Sequence, residues 1–330
     1  MPVFDNPAAR EQRPEDYCTK ATTVDANPDA DCPLWRAFLL RIMDGDQTMI
    51  DYLQRVCGYC LTGLTKERVL FFLWGTGQNG KTTFSNVLLG ILGIGPSGYA
   101  AVAPISTFLA ARTDQHPTDL AMLQGVRVVV ASETEEGRAW ATNKIKLMTG
   151  GDPITARFMR QDFFTYIPQF KIIILSNYKP SLHSVDVAIR SRFHLIPFIV
   201  TILEPERDKR LDEKLKAEYP SIYAWMIEGC LKWQREGLNP PANVRAATEA
   251  YLANEDNIST WIRECCTLGV EQYATLVDLY ASWKAWCETN GEFSGPRKQL
   301  AKALDARGGL TRQEQARTGR AGWTGIKVAR

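Results

Sequence analysis

The chain has 330 residues, 45% of them hydrophobic and 23% charged, with a formal net charge of +2. This is the composition of an ordinary globular protein with room for about two or three domains. No apolar stretch approaches the roughly 20 residues of a membrane span, and the N-terminal MPVFDNPAAREQRPEDY lacks the basic flank and apolar core of a signal peptide, so a cytoplasmic protein with no membrane partner is expected. Eight cysteines include a C-x-x-C at Cys57 and Cys60, but the histidines are only His116, His183 and His194, and no second C-x-x-C completes a zinc site. Reduced, mostly buried thiols are expected instead.

Residues 1–31, rich in Pro, Asp and Asn, read as a loose extension. Residues 32–66 read as a small helical subdomain. Pro33-Leu34-Trp35 leads into RAFLLRIM, and Met49, Ile50, Leu53, Val56, Cys57 and Tyr59 recur at helical spacing. The apolar run Val69 to Trp74 then reads as a buried parallel strand, followed by Gly75-Thr76-Gly77-Gln78-Asn79-Gly80-Lys81-Thr82 and a helix from Thr83 to Leu92. Strand, glycine-rich turn and helix in that order form a phosphate-binding loop. The glycines let several backbone N–H groups face one anion at a helix N-terminus, Lys81 would reach the β and γ phosphates, and the Thr82 hydroxyl would be offered to Mg²⁺.

A short strand over 98–103 and a short helix over 118–123 follow. The run Val128 to Ala131 would bring Glu133 and Glu135 to the carboxyl end of a strand, where open α/β sheets keep their ligands. Glu133 is the candidate base that orients an attacking water and, with Thr82, a candidate Mg²⁺ contact through water; Glu135 could also help hold Mg²⁺ through water. Residues 171–177 repeat the design, an apolar strand ending in Asn177, whose amide could bond the γ phosphate or the water. Between these strands a hairpin is expected, with arms 154–159 and 163–167 and a turn at Arg160-Gln161-Asp162, its arginines and aromatics suited to a nucleic acid backbone. Arg190 and Arg192 precede another strand over 193–198 and could act on a neighbouring subunit's γ phosphate.

The series YCTKAT at Tyr17, CPLWRAFL at Cys32, GYCLTGLT at Gly58, GTGQNGKTT at Gly75, VVVASETEEG at Val128, IKLMTGGDPITARF at Ile145, KIIILSNYKP at Lys171 and AIRSRFHLIPF at Ala188 resembles the superfamily 3 helicases of the AAA+ class. The likeness is to the C-terminal helicase part of phage and plasmid primase-helicases, of the satellite-phage alpha protein and poxvirus type. It implies an α/β AAA+ core with a parallel sheet, over residues 67–205. It also implies a hexameric ring of identical chains, in a bacterial host cell, that hydrolyses ATP with Mg²⁺ between subunits and moves 3′ to 5′ on single-stranded or forked DNA. In its terms residues 75–82, with Thr83 beside them, are Walker A, Glu133 the Walker B acid and Asn177 sensor 1. Arg192 is the first and Arg190 the second arginine-finger candidate. The hairpin would line the central channel, with Lys146 and Arg157 in its flanks and Arg160 at its tip. Two departures stand out: Ser132 replaces the first acid of the usual Walker B pair, and Ser191 occupies a position where relatives often carry arginine. Family members usually carry a primase module upstream, so this helicase-type sequence is expected to work with one in cis or in trans.

Residues 206–257 read as a helical extension, broken at Tyr219-Pro220 and again at Pro240-Pro241. Residues 258–330 read as three helices and a basic two-stranded end, a winged-helix-like domain. From Phe293 onward nine basic residues face only Asp305 and Glu314, a net +7, and Lys298, Lys302 and Arg312 are its candidate DNA contacts. A different reading remains open, a replication initiator or loader that uses ATP as an assembly switch. A P-loop small-molecule kinase is disfavoured by the basic C-terminus and the sensor asparagine.

Overall fold

Strands with no polar face need cover on both sides, and the central sheet is built from such strands. β1 (Leu70–Trp74), β3 (Val128–Ser132) and β6 (Lys171–Ser176) are buried almost throughout. The computed structural model describes the chain except residues 1–12, 111–117, 133–137, 181, 183–185, 255–256, 293, 306, 308, 315–320 and 330. It divides into two compact units, residues 1–181 with 187–251, and residues 182–186 with 252–330.

The first unit opens with α1 (Pro33–Ile42) and α2 (Gln47–Cys60); the Asp46 carboxylate caps α2 by accepting from the N–H groups of Thr48 and Met49. β1 follows, then α3 (Lys81–Leu92), β2 (Ala100–Val102), α4 (Thr118–Ala121), β3 and α5 (Thr142–Gly150). Next come the hairpin β4 (Ile154–Ala156) and β5 (Phe164–Tyr166), then β6, α6 (Val187–Arg190) and β7 (Phe193–Pro197). α7 (Leu211–Ala217), α8 (Tyr219–Glu236) and α9 (Ala242–Asn254) end the series.

The sheet order is β2-β3-β6-β1-β7, parallel at every pairing. The chain therefore leaves β1 past two strand positions to reach β2, and later crosses β1 to place β7. Such a switch in direction opens a crevice at the carboxyl ends of the strands. At the free edge, the N–H of Leu195 in β7 donates to the Thr248 hydroxyl of α9, which keeps that edge from offering an unpaired donor.

The helical pair at 32–66 shares one apolar core with the sheet. Trp35 is fully buried, stacked on Phe38 and on Phe84 of α3, with Trp225 of α8 edge-on. α2 and α8 pass so closely that a Cβ on Gly58 or on Gly229 would lie 2.0 Å from the other helix's backbone. Glycine at both positions is what the crossing requires.

The second unit contains α10 (Asn257–Cys265), β8 (Cys266–Thr275), α11 (Leu276–Asn290), α12 (Arg297–Asp305), β9 (Thr311–Glu314) and β10 (Ala321–Val328). The expected helices are present, but the sheet has three strands in the order β8-β10-β9, antiparallel. No element was expected over 267–275, because Gly269, Glu271 and Gln272 interrupt the apolar pattern and much of that strand faces solvent. Trp261, Trp283, Trp323 and Ile326 centre this unit's own core, and the Trp323 indole N–H donates to Asp305 at 3.0 Å.

Candidate functional site

The phosphate loop runs from β1 into α3 with a backbone that few residues can adopt. Gly77 has φ of 106° and Gly80 of 83°, and Gln78 between them is held at 53°. Gly75 is needed for a different reason, since a Cβ there would sit 2.1 Å from the carbonyl oxygen of Phe198. Asn79, buried, donates to that same carbonyl at 2.9 Å and so ties the loop to the end of β7. The loop's shape is thus fixed by its own chain. Successive residues at positive φ in front of a helix N-terminus make an anion cradle.

Lys81 opens α3, and its ammonium is 2.7 Å from the Gly75 carbonyl, 3.0 Å from Asn79 Oδ1 and 3.1 Å from Asn177 Oδ1. Burial pushes its pKa down to about 8. Its three protons go to neutral oxygens, and a phosphate oxygen is a stronger acceptor than any of them. Asn177 follows β6 and faces the loop because β6 and β1 are neighbours, Trp74 pairing with Ser176 in register. Three bonds brace it: the Trp74 indole N–H donates to the Asn177 carbonyl at 3.1 Å, and the Ser176 hydroxyl donates to the Tyr178 carbonyl and accepts from the Tyr178 N–H, closing a turn. Thr76, Gln78 and Thr82 are exposed, and Thr83 is half-buried.

The structure therefore brings Gly75, Asn79, Lys81 and Asn177 together. Glu133 and Glu135 lie outside the described residues; β3 ends at Ser132, paired with Leu175 at the same end of the sheet. Among the described residues no group of three or more His, Cys, Asp or Glu could hold a metal. Arg192 sits elsewhere. Its carbonyl accepts from the N–H of Leu70 at the start of β1, one five-residue strand, roughly 16 Å, from the loop. Its guanidinium donates to the Thr149 hydroxyl at 3.1 Å and the Ala188 carbonyl at 2.6 Å, while Arg190 pairs with Glu249.

The hairpin turns where expected, with Arg160 at φ of 61°. Arg157 lies 4.6 Å from the centre of the Phe163 ring, and Met159, Phe163 and Ile167 are exposed beside it. Lys146 is on α5, half-buried. In the second unit Lys298 is exposed on α12, the helix that also carries Lys302, and Arg312 of β9 stands over the Trp323 ring and 3.5 Å from Asp305. One participant escaped the sequence. Arg207, 129 residues beyond Gln78, bonds its side-chain amide, and no local pattern marks so distant a partner.

A sequence family of unknown function, DUF5906, matches residues 73–192, and a family described as D5 N terminal like matches residues 4–44. Among curated relatives, "Putative helicase L207/L206" of Acanthamoeba polyphaga mimivirus is 24% identical over 313 residues, covering 87% of this chain and 32% of its own length. "Putative helicase 022R" of Frog virus 3 (isolate Goorha) is 24% identical over 298 residues, covering 82% of this chain and 30% of its own. The chain thus spans about a third of the relatives it matches. Among solved structures, the apo C-terminal region of NrS-1 superposes with a TM-score of 0.57 over 92% of this chain and 78% of that one, at 11% identity.

The chain is thus similar to viral proteins named putative helicases and shares the fold of the NrS-1 C-terminal region. The DUF5906 match begins within β1 and ends at Arg192, so it encloses the phosphate loop, the hairpin, Asn177 and both arginines. Among its described residues no helix is long and apolar enough to cross a membrane.

Proposed function

We propose that the chain is the motor part of an ATP-dependent DNA helicase that works as a ring of identical subunits on single-stranded or forked DNA. The observation that carries this reading is the Lys81 ammonium held by Gly75, Asn79 and Asn177 at the crevice of the sheet. A triphosphate in the cradle would take the Lys81 protons in exchange for those neutral acceptors. Mg²⁺ accompanying the nucleotide, held by the Thr82 hydroxyl, would neutralise charge on the β and γ oxygens. The Asn177 amide, released from Lys81, could turn its N–H toward the γ phosphate or the attacking water, which Glu133 would orient.

The position of Arg192 supports a shared site. The Arg192 backbone lies at the opposite end of β1 from its own phosphate loop, roughly 16 Å away, and its guanidinium is held by Thr149 and Ala188, so a transition-state role would fall on a neighbour's γ phosphate. Arg190 is the second candidate on the same stretch. The exposed hairpin, with Arg157 against Phe163, offers charge to phosphates and ring faces to unstacked bases. In the second unit, helix, strand, two helices and two strands follow in the order of a winged-helix-like domain, and its basic residues suit duplex or forked DNA. A primase module and 3′ to 5′ movement complete the proposal.

The test is ATP binding and ATP hydrolysis, with and without single-stranded DNA, in the chain and in Arg192→Ala. The reading expects DNA-stimulated hydrolysis that Arg192→Ala stops while ATP still binds. Equal loss of binding and hydrolysis in that variant contradicts the shared site.

A further inference from the structure

The polar turn that follows β6 carries Asn177, and aromatic side chains hold both of its ends. Asn177, Tyr178 and Lys179 are exposed, and Pro180 is buried. At the near end the Trp74 indole N–H bonds the Asn177 carbonyl at 3.1 Å. At the far end the Pro180 carbonyl accepts from the hydroxyl of Tyr251 in α9. Tyr251 is buried, and its oxygen in turn accepts from the Trp140 indole N–H at 2.7 Å.

Lys179 joins the two ends. A lysine ammonium is strongly hydrated and its stem flexible, yet this one folds back over the turn. Its nitrogen lies 3.9 Å from the centre of the Trp74 ring and 5.9 Å from that of Tyr251. A cation over an indole is held by the negative face of the ring and draws electron density toward itself. The N–H in the plane of that ring then becomes a stronger donor, and its acceptor is the Asn177 carbonyl. The charge on Lys179 thus bears on the backbone of the residue whose amide bonds Lys81.

We propose that Lys179 is a positioning residue for ATP hydrolysis: its ammonium, acting through the Trp74 indole, keeps Asn177 aimed at the phosphate loop, while Tyr251 fixes the far end of the turn. The inference rests on the ATP reading above. An amide that must meet a γ phosphate or an attacking water contributes only if it is already oriented, so a looser turn costs rate. Ground-state binding suffers less, because the loop backbone and Lys81 would take the phosphates.

The experiment measures kcat, KM and ATP binding, with single-stranded DNA present, for the chain, Lys179→Met, Lys179→Arg, Trp74→Phe and the double variant of Lys179→Met with Trp74→Phe. Folding is checked by thermal melting. Lys179→Met should lower kcat roughly three- to tenfold, with ATP affinity kept within about twofold and the melting temperature nearly unchanged. Lys179→Arg should restore most of the rate, since a guanidinium also lies over an indole face. Trp74→Phe keeps a ring for the cation but removes the N–H, so it should lose rate to a similar extent, and adding Lys179→Met should cost little more. Should Trp74→Phe fail to fold, Asn177→Ala takes its place in the same cycle. Losses that multiply in the double variant, or no loss in Lys179→Met, overturn the proposal. A fall in affinity matching the fall in rate also overturns it, by making Lys179 a phosphate ligand. If Lys81→Ala leaves hydrolysis unchanged, the ATP reading itself falls and takes this inference with it.

Discussion

Lys81 and Lys171 are both buried, with 6% and 2% of their surface exposed, and burial pushes Lys81 down to about 8 and Lys171 to about 7. They stand at opposite ends of the paired strands β1 and β6. Lys171 opens β6 and gives its protons to the carbonyls of Thr62 and Gln169, its charge 4.9 Å from the centre of the Tyr59 ring. Arg127 takes the neighbouring Leu61 carbonyl at 2.6 Å, so the two cations together close the C-terminal end of α2. Lys81 instead shares its protons among a loop carbonyl and two side-chain amides, beside exposed loop residues and at the carboxyl ends of the strands. A desolvated lysine is therefore not by itself a site. Acceptors at a helix end make it a structural clamp, and acceptors that an incoming anion can displace make it a binding group.

The contrast is broken or sharpened by substitution. The largest effect is expected from Lys81→Ala, which should lower ATP turnover by a factor on the order of 10²–10³, as the loss of a preorganised charge-stabilising donor does, with little change in melting temperature. Asn177→Ala should follow, with turnover down by about 10² and ATP affinity changed only a few-fold; loss of affinity matching the loss of rate would make it a ground-state binding group. Lys171→Met should act the other way. Leaving the carbonyls at the end of α2 without their donor costs about 1–3 kcal/mol, read as a drop of several degrees in melting temperature, with ATP affinity unchanged in the folded protein. An equal fall in affinity would erase the distinction between the two lysines.

The smallest effect is in pH. The free Lys81 ammonium loses its proton above about pH 8, while a bound phosphate requires it charged, so ATP affinity should fall by up to tenfold per unit as pH rises beyond 8. Stability has the opposite sign. Both lysines titrate lower folded than the usual unfolded value near 10.4, so the unfolded chain binds more protons between about pH 7 and 10 and stability rises with pH across that window. Lys171→Met should flatten that rise, measured by denaturant titration at several pH values.

Local patterns carried much of this into the sequence. The loop residues 75–82 announce themselves because strand, glycine turn and helix are contiguous, and the hairpin does so because Arg160 to Asp162 separates two short runs. Asn177 was legible as a polar residue ending an apolar strand, although its bond to Lys81 depends on which strands are neighbours. Long-range pairings were not legible. The stitching of Gln78 by Arg207, the anchoring of Asn79 to Phe198 and the exit of Arg192 to Thr149 each join residues far apart in the chain. β8 stayed hidden because a half-exposed strand keeps no clean alternation.

The measurement that bears most directly on the central claim is ATP-driven strand separation on forked duplex DNA, comparing the chain with Lys81→Ala and Lys171→Met. The account predicts unwinding that Lys81→Ala abolishes and that Lys171→Met retains at temperatures where it is folded. DNA-stimulated ATP hydrolysis without unwinding, or unwinding that survives Lys81→Ala, would contradict it.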